Sequence, residues 1–509
     1  MISLSLIDYV TLTLYIIIVV AIGIYFSRKH DSSVDYFLAG RNLSWWTIGG
    51  SLVASNISTE SFVGMSGSGY KMGLAIACYD WLAAVGLIIV AKFLLPLFIK
   101  NRIYTMPEFL EIRYNHIVRF ILSVMMIFGY VMIALAAVLY SGGLVIHTMF
   151  DFPLIWSIIV LAVVAGAYTV YGGLKAVVYT DIVQVITLLL GGIIATIIGL
   201  KAIGGIGSFW AQSSDKFHLV LPLDHPELPW IGVFVGLWIP NIFYWGCNQF
   251  ITQRTLAAKN IHEAQIGVVF ASFIKLIMPF IVVIPGIIAY ALYSDEIPRA
   301  DMAYPYLISR LVPCGLIGII FAGLVGAIMS SLDSMLNSSA TILTIDIYKR
   351  YINKNSSEKH LITVCRIAAI VVLVIAATIA PLLTHFELIF SYIQKFWGFI
   401  SPGVVVVFLF GIFWKRSNAS GAIASLVMSI PVYLALQFIF PDMAFLNQMT
   451  ISFMILSLIM VIVSLSSEPF PERSINMQDY LKLIKTPRTF NILSGVIIGV
   501  VITFYAVFF

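Results

Sequence analysis

Two stretches of this chain put polar side chains into otherwise apolar surroundings. Ala54-Ser55-Asn56-Ile57-Ser58-Thr59-Glu60-Ser61 sets small or polar residues around a single isoleucine, and Pro240-Asn241 with Gly246-Cys247-Asn248-Gln249 interrupts a second apolar run. Unsatisfied backbone in hydrocarbon costs several kcal/mol per group, so such a break is tolerated only where it is buried in protein or lines a wet cavity. Lys275 stands in Ser272-Phe273-Ile274-Lys275-Leu276-Ile277-Met278-Pro279. An ammonium there has to face water, a partner or a ligand, with a structural ion pair as the plain alternative. Ser330 and Ser331 follow Ala327 by three and four residues, and Ser330, Asp333 and Ser334 also follow helical spacing, so each set shares a face. Taken alone, a serine pair in an apolar helix is an ordinary interhelical hydrogen bond.

The elements that hold these residues are set by composition. Of 509 residues, 61% are hydrophobic and 10% charged, far from the mix of a soluble domain, so the bilayer is the solvent. A span needs about 20 apolar residues, and hydropathy predicts an all-α polytopic membrane protein of about fourteen such spans. They are 6–26, 45–69, 73–99, 117–149, 153–171, 176–200, 230–251, 266–293, 315–345, 362–383, 388–413, 421–438, 448–464 and 490–508. The first carries Asp8 and no leading Lys or Arg, and no small-residue cleavage site follows, so it reads as a mature helix rather than a signal. With no linker or low-complexity tract, residues 1–509 are expected to form a single transmembrane domain.

Lys and Arg gather on one side. Arg28, Lys29, Arg41, Arg113, Arg119, Arg254, Lys349 and Arg350 are among the many assigned to inner loops, while the outer side keeps Lys71, Lys201, Lys216, Arg299 and Arg310. This split puts the N-terminus outside a multi-pass cell (inner) membrane protein. The net charge of +5 is therefore a topology signal and implies no nucleic-acid partner. Cys78, Cys247, Cys314 and Cys365 lack metal-ligand spacing and read as packing residues. The two polar breaks lie five spans apart, the pattern expected of inverted repeats with a transport site near the midplane.

The chain also resembles the sodium/solute symporters, on Phe37-Leu38-Ala39-Gly40-Arg41, Ala54-Ser55-Asn56-Ile57-Ser58, Tyr171-Gly172-Gly173-Leu174, Gln253-Arg254-Thr255-Leu256-Ala257-Ala258-Lys259, Asp346-Ile347-Tyr348-Lys349 and Gly411-Ile412-Phe413-Trp414-Lys415-Arg416. It looks closest to bacterial sodium/galactose symporters and is more distantly similar to animal sodium/glucose cotransporters. The resemblance implies a LeuT-type fold with inverted five-helix units at 45–200 and 229–413, preceded by an extra helix and loop at 1–44 and followed by three helices at 414–509. It implies Na+ as the coupling ion, held by the carbonyls of Ala54, Ile57 and Ala327 and the hydroxyls of Ser330 and Ser331. It implies a sugar bound by Asn56, Ser61, Asp80, Asn241, Lys275 and Gln394, with Tyr244 and Trp245 at an inner gate and Met65, Tyr79 and Phe390 at an outer one. Ser61, Asp80, Ala83 and Trp397 depart from the galactose pattern, which leaves glucose, myo-inositol or another polyol open. Asp181 matches a family carboxylate, and with Asp333 and Ser334 it marks a possible second cation site, since two acids in low dielectric call for a proton or a cation between them.

Rival readings are a channel or sensor, a membrane enzyme, and a symporter for an amino acid, a carboxylate or a vitamin. The chain has no appended signalling domain, and His262-Glu263 lacks the second His of the zinc-protease spacing. A carboxylated cargo would want an uncompensated cation, and Asp80 can offset Lys275. The expected function is sodium-coupled secondary active symport, by alternating access, of a small neutral polyhydroxylated solute.

Overall fold

A chain in hydrocarbon has to close its backbone hydrogen bonds within each segment, and the described residues form helices with no strand; Leu43 and Ala258 make one isolated bridge. The computed structural model describes residues 5–27, 32–386, 388–468 and 473–509. Arg28 and Lys29, two of the cations assigned to the inner side, lie outside the described residues.

Both expected breaks are present. A first broken helix runs Trp45–Asn56, opens at Ile57, whose φ of −92° and ψ of 95° leave the helical region, and resumes through a wide π-type turn, Glu60–Met65, into Ser66–Met72. A second comprises Trp238–Ile242, a π-type turn Phe243–Cys247, an extended Asn248 and Gln249–Leu256. Three long elements cradle them: an aspartate helix, Leu154–Ala202, kinked at Gly173, a lysine helix, Ile261–Tyr293, and a serine helix, Ile317–Thr341. Aspartate and serine helices pack along their lengths, and the lysine helix packs on the first broken helix.

Among the described residues, ten helices are long and apolar enough to cross a membrane, or eleven if Ile389–Trp397 and Ser401–Phe413, bent by 45°, count as one span. The fourteen read from hydropathy are not reached on that criterion. Expected spans 153–171 and 230–251 appear as the shorter apolar helices Leu154–Gly166 and Gly232–Cys247, and the C-terminal part of 45–69 runs on into Glu60–Phe93. A helix opened at its middle gives two short pieces, which a length rule counts differently from a hydropathy window.

Three cations assigned to inner loops are buried instead. Arg254 is 0% exposed, Arg113 2% and Arg119 8%. Arg113 donates to the Gly411 carbonyl at 2.7 Å and the Ser417 hydroxyl at 2.6 Å. Arg119 bonds Asp346 at 2.6 Å and Glu111 at 2.7 Å, and Arg350 bonds Glu111 at 2.5 Å. Partial burial alone would raise the Glu111 carboxyl, but the two guanidiniums outweigh it and hold it below the usual carboxylate range. Cys78, Cys247 and Cys365 are buried as expected of packing residues, whereas Cys314 is exposed.

Two carboxylates cap helix starts across the fold. Asp8 accepts from the backbone N–H of Gly318 at 2.7 Å and of Gly315 at 2.9 Å, at the head of the serine helix. Glu263 accepts from Trp45 N–H at 2.6 Å. Each satisfies N–H groups that a helix start leaves without an intrahelical partner. Between helices, the tightest approach is at Gly286, where a Cβ would lie 1.9 Å from the Ser66 carbonyl oxygen. Small residues let backbones meet at this distance in a membrane, where the hydrophobic effect no longer drives helices together. Gly286→Val therefore has to push the lysine helix off the first broken helix. The expected result in thermal melting of detergent-purified protein is a midpoint lower by several degrees or a loss of folded material, and an unchanged midpoint would show that the contact gives way freely.

Candidate functional site

The sequence places the two breaks far apart, and the fold closes them around one cavity. Its wall includes Asn56, Ser61, Asp80, Asn241, Lys275 and Gln394, together with Met65, Tyr79, Phe390, Tyr244 and Trp245, so all the expected substrate and gate residues meet at one place. Ala83 and Trp397, two of the positions that depart from the galactose pattern, line it as well. Glu60, Phe243 and Met335 complete parts of the wall that the sequence reading missed. For Glu60 a signal existed, a carboxylate inside the first break, but it was read only as part of the polar run.

Lys275 answers the question its position raised. Its Nζ bonds Asp80 Oδ1, both side chains being almost fully buried, and it lies 5.6 Å from the centre of the Trp245 ring. The ammonium is thus neutralised by a carboxylate and an aromatic face. Asn56 Nδ2 donates to the Tyr244 hydroxyl at 2.9 Å, joining the first break to the second. Tyr244 packs edge-on against Trp245 at 4.9 Å and Phe250 at 5.4 Å. On the other side Tyr79 and Phe390 meet edge-to-face at 4.9 Å. Aromatic layers therefore bound the cavity on two sides.

Four polar atoms on this wall are buried without a hydrogen-bond partner among the described residues: Asn56 Oδ1, Glu60 Oε2, the Tyr79 hydroxyl and Asn241 Nδ2. Each such group costs about 1–3 kcal/mol. They comprise acceptors, a donor and a hydroxyl that can do either, which is the complement of a solute carrying several hydroxyl groups.

A second polar centre lies where four helices cross. Asp181 Oδ2 accepts from Ser51 at 2.5 Å and Ser55 at 3.4 Å, and Oδ1 accepts from Ser330 at 2.5 Å. Arg254 Nη2 is 3.3 Å from Asp181, and Nε donates to Ser51 at 2.7 Å, with further bonds to Ser334 and the Phe250 carbonyl. The chain's own Arg254 thus places a positive charge beside Asp181. The Gln253-Arg254 motif points to its importance, but nothing in the spacing separates a loop arginine from a buried one. Asp333 is buried, one turn beyond Ser330.

The expected sodium ligands border this centre. Ala54 and Ile57 flank the first opening, and Ser331 donates to the Ser55 carbonyl at 3.4 Å, so the serine helix touches the break where those carbonyls lie. Ser55 and Ser334 hydroxyls are 2.9 Å apart. Ala327 is buried one turn before Ser331 on the same helix.

Known proteins share both the sequence and this architecture. The chain is 44% identical to the sodium/glucose cotransporter of Vibrio parahaemolyticus, with 99% of each chain covered. It is 34% identical to sodium/myo-inositol cotransporter 2 of Homo sapiens, over 85% of this chain and 70% of that one. Among solved structures, a substrate-bound, outward-open Na+-coupled sialic acid symporter superposes with a TM-score of 0.82 at 24% identity, covering 91% of this chain and 99% of the other. A nucleobase-cation-symport-1 family transporter in a closed conformation with bromovinylhydantoin bound superposes at 0.58 and 14%, over 89% and 99%. At these identities the two structures speak for the fold alone. The family model described as the sodium:solute symporter family matches residues 36–429, and with that match and the full-length relatives, the chain belongs to the sodium:solute symporter family.

Proposed function

We propose that this symporter carries a neutral polyhydroxylated solute, a monosaccharide or a polyol such as myo-inositol, together with sodium across the cell (inner) membrane by alternating access. The observation that carries the reading is the set of unpartnered donors and acceptors on one cavity wall, beside a lysine already neutralised by Asp80. An amino acid or carboxylate would need a spare cation on that wall, and Lys275 offers none. Relatives named for glucose and myo-inositol support the same class.

In this reading Asn56, Ser61, Asp80, Asn241, Lys275 and Gln394 hold the solute, Tyr244 and Trp245 close the inner way out, and Met65, Tyr79 and Phe390 close the outer one. Sodium takes the carbonyls of Ala54, Ile57 and Ala327 and the hydroxyls of Ser330 and Ser331. Ser330 already donates its proton to Asp181, which leaves the hydroxyl lone pairs free to face a cation. Asp181, Asp333 and Ser334 are candidates for a second cation, which would have to share Asp181 with Arg254 or displace it. The topology that fits is fourteen crossings with the N-terminus outside and inverted units at 45–200 and 229–413; the corresponding breaks in the two units support it.

Three measurements in proteoliposomes test the assignments. Ser331→Ala removes one oxygen from a small-cation cage, and the sodium concentration for half-maximal uptake should rise about tenfold or more, equivalent to about 1.4 kcal/mol; unchanged sodium dependence in folded protein removes the proposed ion site. Lys275→Ala and Gln394→Ala should each abolish sugar binding and leave sodium binding intact, and equal sugar affinity in both variants would move the pocket elsewhere. A sodium-to-sugar flux ratio of two that falls to one in Asp333→Ala supports the second cation, whereas a ratio of one in both proteins assigns Asp333 to the inner path alone. At a ratio of two, each charge adds about 2.3 kcal/mol of driving force per 100 mV.

A further inference from the structure

Of the charged groups on the cavity wall, Asp80 and Lys275 bond each other. Glu60 is the third, and among the described residues no cation forms an ion pair with it, although the Lys275 charge acts on it from farther off. It stands directly after the first break, at the start of the turn Glu60–Met65, with its backbone N–H donating to the Ser58 hydroxyl at 3.1 Å. Its Oε2 is buried and makes no hydrogen bond among the described residues. Arg254, the buried cation of the helix crossing, is engaged with Asp181, Ser51, Ser334 and Phe250 and does not line the cavity. The wall therefore carries one carboxylate more than its cations.

We propose that Glu60 selects the cargo: its Oε2 accepts a hydrogen bond from a cargo hydroxyl, and in its ionised form it turns away sugars that carry a carboxylate. The proposal rests on the sugar reading of the cavity. A carboxylate oxygen is a stronger acceptor for a hydroxyl than a neutral oxygen is, roughly twofold in hydrogen-bond strength, and in a low-dielectric pocket an unpartnered one is the costliest group on the wall. Asp80 is the other carboxylate, but its charge is already spent on Lys275. Asn56 Oδ1, four residues earlier at the same break, is a second unpartnered acceptor, so this wall asks for two donors. Adjacent hydroxyls of a sugar or inositol supply two donors. A uronate brings an anion next to Glu60, with no free cation on the wall to offset the repulsion. Specificity then comes from a repulsive element as much as from an attractive one.

The test uses the full chain in proteoliposomes under a sodium gradient, with glucose, galactose, myo-inositol and glucuronate as probes, and the sodium-dependent shift in melting temperature as the measure of fold. Wild-type protein is expected to take up at least one neutral probe and to exclude glucuronate. Glu60→Gln should weaken the neutral probe about tenfold and raise the glucuronate-to-neutral uptake ratio about tenfold or more, since the amide keeps an acceptor but loses the charge. Glu60→Asp keeps the charge and withdraws the oxygen, so it should weaken the neutral probe while still excluding glucuronate, and it decides the matter if Glu60→Gln loses the sodium shift. Unchanged affinity and an unchanged ratio in folded variants would overturn the proposal while leaving the sugar reading intact. A wild type that takes up glucuronate as readily as glucose overturns the charge selection, and one that takes up none of the neutral probes overturns the sugar reading and Glu60's role with it.

Discussion

The crossing of the two broken helices with the aspartate and serine helices hangs on the contact between Asp181 and Arg254. Both groups are fully buried, where an unpaired charge is expensive and the loss of one partner costs about 3–5 kcal/mol. The contact persists because every helix around it contributes. Ser51 and Ser55 come from the first broken helix, Ser330 and Ser334 from the serine helix, Asp181 from the aspartate helix and Arg254 from the second broken helix. A motion that parts the second broken helix from the other three breaks the Arg254 bonds to Asp181, Ser51 and Ser334 together. The Gln249–Leu256 segment that carries Arg254 is tied further by Gln249 to Met106 N–H at 2.8 Å and by Gln253 to the Phe37 carbonyl at 2.7 Å and the Ser338 hydroxyl at 2.9 Å. The crossing is therefore held by a set of polar bonds centred on Arg254 and Asp181.

The cavity above it is built on the opposite principle. Where the crossing satisfies its buried charges, the cavity wall leaves four polar atoms unpartnered, each at a cost of about 1–3 kcal/mol. Packing elsewhere keeps them there: Gly286 against Ser66, and Asp301 holding the Ile389 N–H at 2.9 Å near the outer aromatic layer. A solute that satisfies the wall recovers this cost on binding. One lacking a hydroxyl at the right place leaves a buried group unpaired, which is why polar pockets discriminate more sharply than apolar ones.

How much of this the sequence disclosed follows from the kind of signal each residue leaves. Polar residues in a hydrophobic run cannot be hidden, so both broken helices, Lys275 and the serine face were legible from composition and spacing. Pairing is different, because it depends on which helices meet. Lys275 could be matched to Asp80 through the family resemblance, but Arg254 sits at the end of an apolar run, where a snorkelling loop arginine and a buried one look alike. Asp8 read only as evidence against a cleaved signal, and its cap on the serine helix, at Gly315 and Gly318, joins residues about three hundred positions apart. The number of crossings was the least secure reading. Hydropathy windows pass smoothly over openings such as Ile57 and Asn248, whereas Gly173, whose φ of 60° and ψ of 177° interrupt the aspartate helix, falls in the gap between the expected spans 153–171 and 176–200.

The first break also bears on coupling, because proposed ion ligands and cavity residues alternate along it. Ala54 and Ile57 are assigned to sodium, and Asn56, Glu60 and Ser61 face the cavity. In a segment this short, fixing the carbonyls of residues 54 and 57 fixes the backbone that aims the side chain of residue 56. Asn56 then has two neighbours to serve. Its Nδ2 holds the hydroxyl of Tyr244 on the second broken helix, and its Oδ1 is left to the cargo. An ion that orders the break therefore orients an acceptor for the cargo and a donor for the aromatic layer at once, and a cargo bound to Oδ1 stabilises the backbone geometry the ion requires. Each ligand can shift the shared segment only by its own difference in affinity for the ordered and disordered forms, and linkage makes the effect of each on the other equal. On the proposed assignments, one amide at a helix break, bonded across to the second break, lets ion, cargo and gate act on a single equilibrium.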